Sequence, residues 1–331
     1  MQLPAIDFPS TLPRGYTELD DGIIYDSSRH LDLHFPDQVW NLEDFGYSEH
    51  DISMAASRVA VTSPFRLLSE EGVEALYQVS SQLKSVSTRI EGDRTPQHLA
   101  GGVYRSRFLR DLCSCPQVLG HMSSISGTDL LPHSMPSQQV YINYAPDDVS
   151  KAVDAWHYDG IGFDYVIMVS DPAKLKGGNF EYFQGTRNEV AEMYGLKVPE
   201  VRYGIKEDLP QDRVIKAQFP KAGYAIFQQG NLVVHRAAKL LEAGDRITVV
   251  PGLVSRNHRV PDPTAKNDLP GYGEPGISAE LARHGAWLAQ AKLNDLMQNL
   301  DLVTEEKQVN QMLEEAILDV TDTIRFIKTS L

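Results

Sequence analysis

Four consecutive residues, Trp156-His157-Tyr158-Asp159, hold the densest chemistry in the chain. On a β-strand, positions i and i+2 share a face, so His157 and Asp159 can reach one metal ion. His235, at the end of the run GYAIFQQGNLVVH, supplies a third ligand if two strands of a small barrel bring it close. Two neutral imidazoles and one carboxylate on one face of an octahedron leave the opposite face open, which suits Fe(II) working on O2. Zinc more often takes three protein ligands and a water in a tetrahedron. A chance HxD at a strand end is the bland alternative, but it leaves the next feature unexplained. Arg246 follows His235 in HRAAKLLEAGDRIT, and Thr248 stands two positions on, on the same side of a strand. A guanidinium beside a hydroxyl binds a terminal carboxylate by charge-assisted hydrogen bonds. Together these residues suit a dicarboxylic cosubstrate with one end on the metal and the other on Arg246. The competing role for Arg246 is a surface ion pair with Glu242 or Asp245. For Thr248 it is that of an ordinary β-branched strand residue.

The elements that position these residues follow from periodicity. From residue 137 onward, SQQVYINYA, DYVIMVSD, GNFEYF, VIKAQF, GYAIFQQ and RITVVPGLV are short runs rich in Val, Ile, Tyr and Phe, bounded by Gly, Pro, Asp or Asn. Few helices separate them, which predicts an antiparallel sandwich or jelly roll rather than a βαβ sheet. Gly177-Gly178 predicts a tight turn between strands with no chemical role of its own. The insert at 188–212 reads as a lid or substrate-facing loop. Upstream, 69–90 predicts one amphipathic helix capped by Ser69, with Val73, Leu76, Tyr77, Leu83, Val86 and Ile90 on its apolar face. A second helical region over 104–125 is interrupted near Pro116. Residues 1–60 read as an extended arm, and its His30 and His34, at helical spacing, as surface histidines with no third ligand type nearby. The segments are then an arm at 1–60, a helical support at 61–130, a catalytic β core at 131–256, a linker at 257–276 and a helical hairpin at 277–331. Leu281, Leu288, Leu293, Leu296, Met297 and Leu300 form one stripe of the hairpin. Val309, Leu313, Ile317, Val320, Ile324 and Ile327 form the other. Such stripes suit packing on the core or a homodimer through these helices.

Composition narrows the class. The chain has 331 residues with a net charge of −14, 42% hydrophobic and 23% charged, an ordinary globular balance. That charge argues against nucleic acid and anionic membrane as partners, since both need clustered Lys and Arg. No apolar run is long enough to span a bilayer. The N-terminal stretch lacks an apolar segment of the signal-peptide kind. Cys113 and Cys115 are the only cysteines and read as unpaired thiols, which suits a reducing, cytoplasmic setting.

At 137–256 the chain resembles the Fe(II)/2-oxoglutarate-dependent oxygenases. Their signature is HxD, a distant His, then Arg-x-Ser/Thr, and here it falls on His157, Asp159, His235, Arg246 and Thr248. Trp156 before the HxD and GGNFEYFQGT after it look like the phytanoyl-CoA and prolyl hydroxylase branches. GYAIFQQGNLVVHRAAKLLEAGDRITVV looks loosely like fungal secondary-metabolism members that act on amino-acid-derived substrates. The resemblance implies a mainly β fold with flanking helices around a double-stranded β-helix (jelly roll). It implies Fe(II), 2-oxoglutarate and O2 as the cofactor and cosubstrates, with succinate and CO2 formed. His157, Asp159 and His235 would be both metal ligands and the catalytic set. Arg246 would pair with the C5 carboxylate of 2-oxoglutarate, helped by Thr248 and by Tyr144 or Tyr141 from the preceding strand, with Asn143 on the other face. Halogenating relatives replace the Asp159 carboxylate with a small residue, so its presence disfavours halogenation. The implied reaction oxidises an unactivated C–H bond of a small metabolite or amino-acid-derived substrate, by hydroxylation, desaturation or cyclisation. Apart from the resemblance, the candidate substrate contacts are Arg105 and Arg107, whose alternative is a solvated helix face, Phe163 and Tyr165, whose alternative is core packing, and Arg187 at the start of the insert. The competing functions are a cupin-type metalloenzyme without 2-oxoglutarate and a non-catalytic metal-binding protein.

Overall fold

A computed structural model of the protein describes residues 5–90, 94–272 and 275–330. Two sheets occupy its centre. The strands are β1 (Val39–Asn41), β2 (Val59–Thr62), β3 (Phe65–Arg66), β4 (Thr88–Arg89), β5 (Gln97–Leu99), β6 (Leu130–Pro132) and β7 (Val140–Tyr144). They continue as β8 (Ala152–His157), β9 (Phe163–Met168), β10 (Phe180–Phe183), β11 (Val214–Ala217), β12 (Tyr224–Gln228), β13 (His235–Lys239) and β14 (Ile247–Ser255). The larger sheet has the order β1-β2-β12-β9-β14-β7-β5-β4, with β3 on β12 and β6 on β14. The smaller has the order β11-β10-β13-β8. From β7 the chain alternates: β7, β9, β12 and β14 enter the larger sheet, while β8, β10, β11 and β13 enter the smaller. The pairs that frame the site are antiparallel.

Side-chain alternation then sorts each strand into two environments. In β9, Phe163, Tyr165 and Ile167 face a helical layer, whereas Val166 and Met168 face the gap between the sheets. The helical layer is α3 (Glu70–Leu83), α4 (Arg107–Cys113) and α5 (Pro116–Ser126); α1 (Ser27–His30) and α2 (Glu49–Ser53) precede it in the chain. Leu76, Val79, Leu112 and Met122 pack there with Ile142, Tyr165 and Ile247 in one buried cluster. Ser69 caps α3 by accepting from the Gly72 N–H, and Glu70 and Glu71 complement its positive end.

Two boundaries differ from the sequence reading. Helix α3 stops at Leu83 instead of running to 90, because residues 84–86 tighten into a 3₁₀ turn and β4 then pairs with β5. Val86 and Ile90 are therefore exposed and sit on no helical face. Pro116 does not merely interrupt a helix; it occupies the first turn of α5, where its missing N–H costs nothing. Cys113 and Cys115 are buried and unpaired.

On the outer face of the smaller sheet, α6 (Arg187–Met193) and the turns after it bury Trp156, Tyr158 and Phe183. At the C-terminus, α7 (Ile277–Asn299) packs against α8 (Glu306–Ser330). Helix α7 docks through Ile277 and Leu281 on Met135 and Leu269, and through Trp287 and Leu288 on Val254. Buried Glu280 is satisfied by the Tyr104 hydroxyl at 2.7 Å and by the Ser137 Oγ at 2.7 Å. Of the expected stripes, Leu281 and Leu288 are buried, while Leu293, Met297, Leu313, Ile317 and Ile324 are exposed. Among the described residues no helix is long and apolar enough to cross a membrane.

Candidate metal centre

Strands β8 and β13 lie side by side, and their register sets His157 opposite His235 with ring centroids 4.3 Å apart. Asp159 arrives differently from the i, i+2 strand geometry expected of it. Strand β8 ends at His157, and Asp159 sits in the turn that follows. Its backbone N–H donates to the Gly230 carbonyl at 2.8 Å, which pins the turn to the loop before β13. The carboxylate oxygens then stand 3.3 Å from His157 Nε2 and 3.4 Å from His235 Nε2. Ligand atoms of all three residues lie within 4.8 Å of one another. Gly230 is required for this approach, since a Cβ there would fall 2.3 Å from oxygens of Asp159 and Asp164.

Hydrogen bonding sets the tautomers. His157 Nδ1 lies 2.7 Å from the Ala155 carbonyl, and His235 Nδ1 lies 2.9 Å from the Val233 carbonyl. A carbonyl only accepts, so each Nδ1 carries the hydrogen and each Nε2 turns a lone pair toward Asp159. Burial lowers His235 to about 4, so it is neutral at physiological pH. Burial alone would raise the Asp159 carboxyl; positive charge facing it, on His235 or His157 and on Arg94, is what would draw it below the ordinary carboxylate range. Three lone-pair donors to a metal therefore converge on one point. The Gln228 side-chain amide reaches the same point, donating to Asp164 Oδ1 at 2.9 Å and to Asp159 Oδ2 at 3.3 Å. Asp164 is pushed far up by burial and by the charge of Asp159, which makes it a neutral acid beside the ionised one.

Arg246 precedes β14 and lies fully buried in the gap between the sheets. Its Nε donates to the Gly178 carbonyl at 2.7 Å and its Nη1 to Thr248 Oγ1 at 3.4 Å; Nη2 has no partner among the described residues. The surface-pair alternative fails: Glu242 pairs with Lys176, and Asp245 with Tyr77 and Lys84. Burial lowers Arg246 to about 10, so it stays a cation at neutral pH. The two glycines do more than turn the chain. Gly178 has φ +68°, its carbonyl holds Arg246, and a Cβ there would meet Arg246 Cδ at 2.9 Å. His157, Asp159, His235, Arg246, Thr248 and Tyr141 line one cavity of about 110 Å³.

The other predicted residues separate by strand face. Tyr141 and Asn143 share the cavity side of β7, so Asn143 stands with Tyr141. Tyr144 is a correction: it points into the helical layer, where its hydroxyl donates to the Ser80 carbonyl at 2.8 Å. Tyr165 is corrected for the same reason, being fully buried on the helix side of β9. Phe163 stacks on Phe227 in that layer and meets only a second, larger cleft. Arg105 lies over the Tyr16 ring, and Arg107 is exposed and paired with Asp111; neither lines a cavity near the triad. Arg187 lines the larger cleft. Trp156 is core, under the Arg236 guanidinium. The sequence reading missed Arg94, Thr95, His98, Asp154, Asp164 and Gln228, which also line the small cavity. Asp154 accepts from Thr95 at 2.8 Å and Arg94 at 3.2 Å. For Asp164 a signal existed: it is an acidic residue inside an otherwise apolar strand run.

No protein-family model matches the chain, and no curated protein matches it in sequence. Solved structures do align with it. The non-haem α-ketoglutarate-dependent epimerase SnoN of nogalamycin biosynthesis aligns at 12% identity and TM-score 0.44, over 65% of this chain and 84% of SnoN. The α-ketoglutarate-dependent carbocyclase SnoK of the same pathway aligns at 14% identity and TM-score 0.42, over 72% of this chain and 95% of SnoK. HygX from Streptomyces hygroscopicus, solved with nickel, 2-oxoglutarate and hygromycin B, aligns at 15% identity and TM-score 0.38, over 62% of this chain and 85% of HygX. The residues of the site, rather than these likenesses, carry the functional reading.

Proposed function

We propose that the protein is an Fe(II)/2-oxoglutarate-dependent oxygenase that oxidises a C–H bond of a small metabolite or amino-acid-derived substrate. The observation that carries this is the buried, unpartnered Nη2 of Arg246 in the same cavity as the His157, Asp159 and His235 lone pairs. A buried cation with an unused donor calls for an anion, and a converging set of acceptors calls for a metal. A dicarboxylate that chelates the metal answers both. The alternation of β7–β14 between two sheets supports a double-stranded β-helix as the scaffold.

Bound Fe(II) with 2-oxoglutarate supplies O2 activation and C–H oxidation, with succinate and CO2 as coproducts. The chain's own part is orientation. The Ala155 and Val233 carbonyls lock the His157 and His235 rings with Nε2 inward. The Gln228 amide, itself anchored on Asp164, donates to the Asp159 carboxylate and helps to hold it in place. Arg246 receives the distal carboxylate, with Thr248 and Tyr141 beside it. Burial of the whole group keeps bulk water from the reacting atoms. Hydroxylation is the default outcome; desaturation and cyclisation begin in the same way.

The test is anaerobic addition of Fe(II) and then 2-oxoglutarate to metal-free protein. A visible charge-transfer band that disappears in His157→Ala is expected. Folded protein that binds iron without developing the band refutes the proposal.

A further inference from the structure

Beside the small cavity lies a cleft of about 690 Å³ between the sheets and α7. That volume fits a drug-sized molecule, whereas the small cavity fits only a short diacid. The two share Tyr158 and Arg202 in their walls, and Tyr158 stands between His157 and Asp159 in the chain. The cleft therefore opens beside the metal centre. Much of its lining is apolar, including Ala55, Leu232, Val254, Trp287 and Leu288.

Its cations are nearly all compensated. Lys292 pairs with Asp319 at 2.6 Å and Arg202 with Asp268 at 2.7 Å. Arg256 is engaged as well. Arg187 differs. Its Nη1 donates to the Asn231 carbonyl at 2.8 Å and its guanidinium lies 5.1 Å from the Tyr158 ring centroid. No carboxylate stands within ion-pair distance of it among the described residues. Asp51, in the same wall, spends Oδ2 on the cap of its own helix, accepting from the Ser48 N–H and Oγ.

We infer that this cleft binds a drug-sized molecule with a largely apolar body and one anionic group, and that Arg187, beside Tyr158, holds the anion. The term substrate for that molecule rests on the oxygenase reading; the binding does not. A charge-assisted hydrogen bond to a half-buried guanidinium corresponds to about a ten-fold preference for the anion over a neutral isostere.

The test uses two dyes of the same shape, 8-anilinonaphthalene-1-sulfonate and uncharged N-phenyl-1-naphthylamine, titrated by fluorescence into the full chain. About ten-fold tighter binding of the sulfonate is expected. Arg187→Gln should abolish that preference while leaving the neutral dye within about two-fold, and Arg187→Lys should retain most of it. Met54→Trp, at an exposed rim position, should weaken both dyes by narrowing the cleft. Equal affinities for the two dyes in the unmodified protein overturn the inference. So does a preference that persists in Arg187→Gln, or binding of both dyes untouched by Met54→Trp. 2-Oxoglutarate binding with Mn(II), measured in parallel, reports on the oxygenase reading separately.

Discussion

Replacing Arg246 with methionine is expected to stabilise the ligand-free protein while removing its response to 2-oxoglutarate. Arg246 is fully buried, and among the described residues no carboxylate stands at ion-pair distance from it. Burial lowers its pKa from 12.5 to about 10, which corresponds to about 3 kcal/mol of unfavourable charge burial. Methionine relieves that term and fills similar volume, but it strips the Gly178 carbonyl of its donor, at a cost of about 1–2 kcal/mol. The balance is a net gain of about 1–2 kcal/mol, or ~2 °C in Tm for a chain of this length. The unmodified protein, in contrast, gains about 2.7 kcal/mol from 2-oxoglutarate at a hundred times its Kd. The assay is thermal unfolding with Mn(II) present, with and without 2-oxoglutarate, and direct titration of 2-oxoglutarate binding. Arg246→Met should show a higher baseline Tm and no ligand shift. If it unfolds at lower temperature than the parent and keeps the ligand shift, Arg246 is a structural residue and the anchor assignment is wrong.

Three further outcomes follow from the same geometry. Gly178→Ala should weaken 2-oxoglutarate binding at least about ten-fold, because the new Cβ displaces Arg246 at a positive-φ position; unchanged affinity by titration would show that the anchor tolerates the shift. Tyr144→Phe should leave 2-oxoglutarate affinity unchanged and cost about 1 kcal/mol of stability through the lost bond to Ser80; a large loss of affinity would return Tyr144 to the site. Buried His133 accepts from the Met135 N–H at Nδ1 and donates to Thr264 at Nε2, so its neutral form is fully used, and burial lowers it to about 3. As pH falls below about 6.5 the unfolded chain takes up a proton that folded His133 refuses, and stability drops by about 1.4 kcal/mol per pH unit down to about pH 3. Denaturant midpoints of His133→Gln and its parent between pH 7.5 and 4.5 should therefore show a shallower decline in the variant, and parallel curves would contradict the assignment.

The residue types of the candidate metal centre could be read from local spacing because the chemistry restricts them strongly. His157, Asp159 and His235 stand out as an HxD with a distant histidine, and Arg246 with Thr248 adds a cation next to a hydroxyl in an otherwise apolar strand. The strand runs from 137 onward were legible for a similar reason, since side-chain alternation is a local property. Alternation says which residues share a face, but not which face turns inward. That choice needs both layers to be in place, and so Tyr141 could not be preferred to Tyr144, nor Tyr165 assigned to the helical side, before β7 and β9 were seen between their neighbours. Asp159 meets the two histidines from a turn held by Gly230, a contact between segments far apart in the chain that no i, i+2 rule contains. The same holds for Gly178 under Arg246, for Asp164 and Gln228 beside the triad, and for Arg187, which has no carboxylate within ion-pair distance among the described residues. Each depends on what stands opposite in space, and pairing across the fold is a property of register and packing rather than of spacing along one strand.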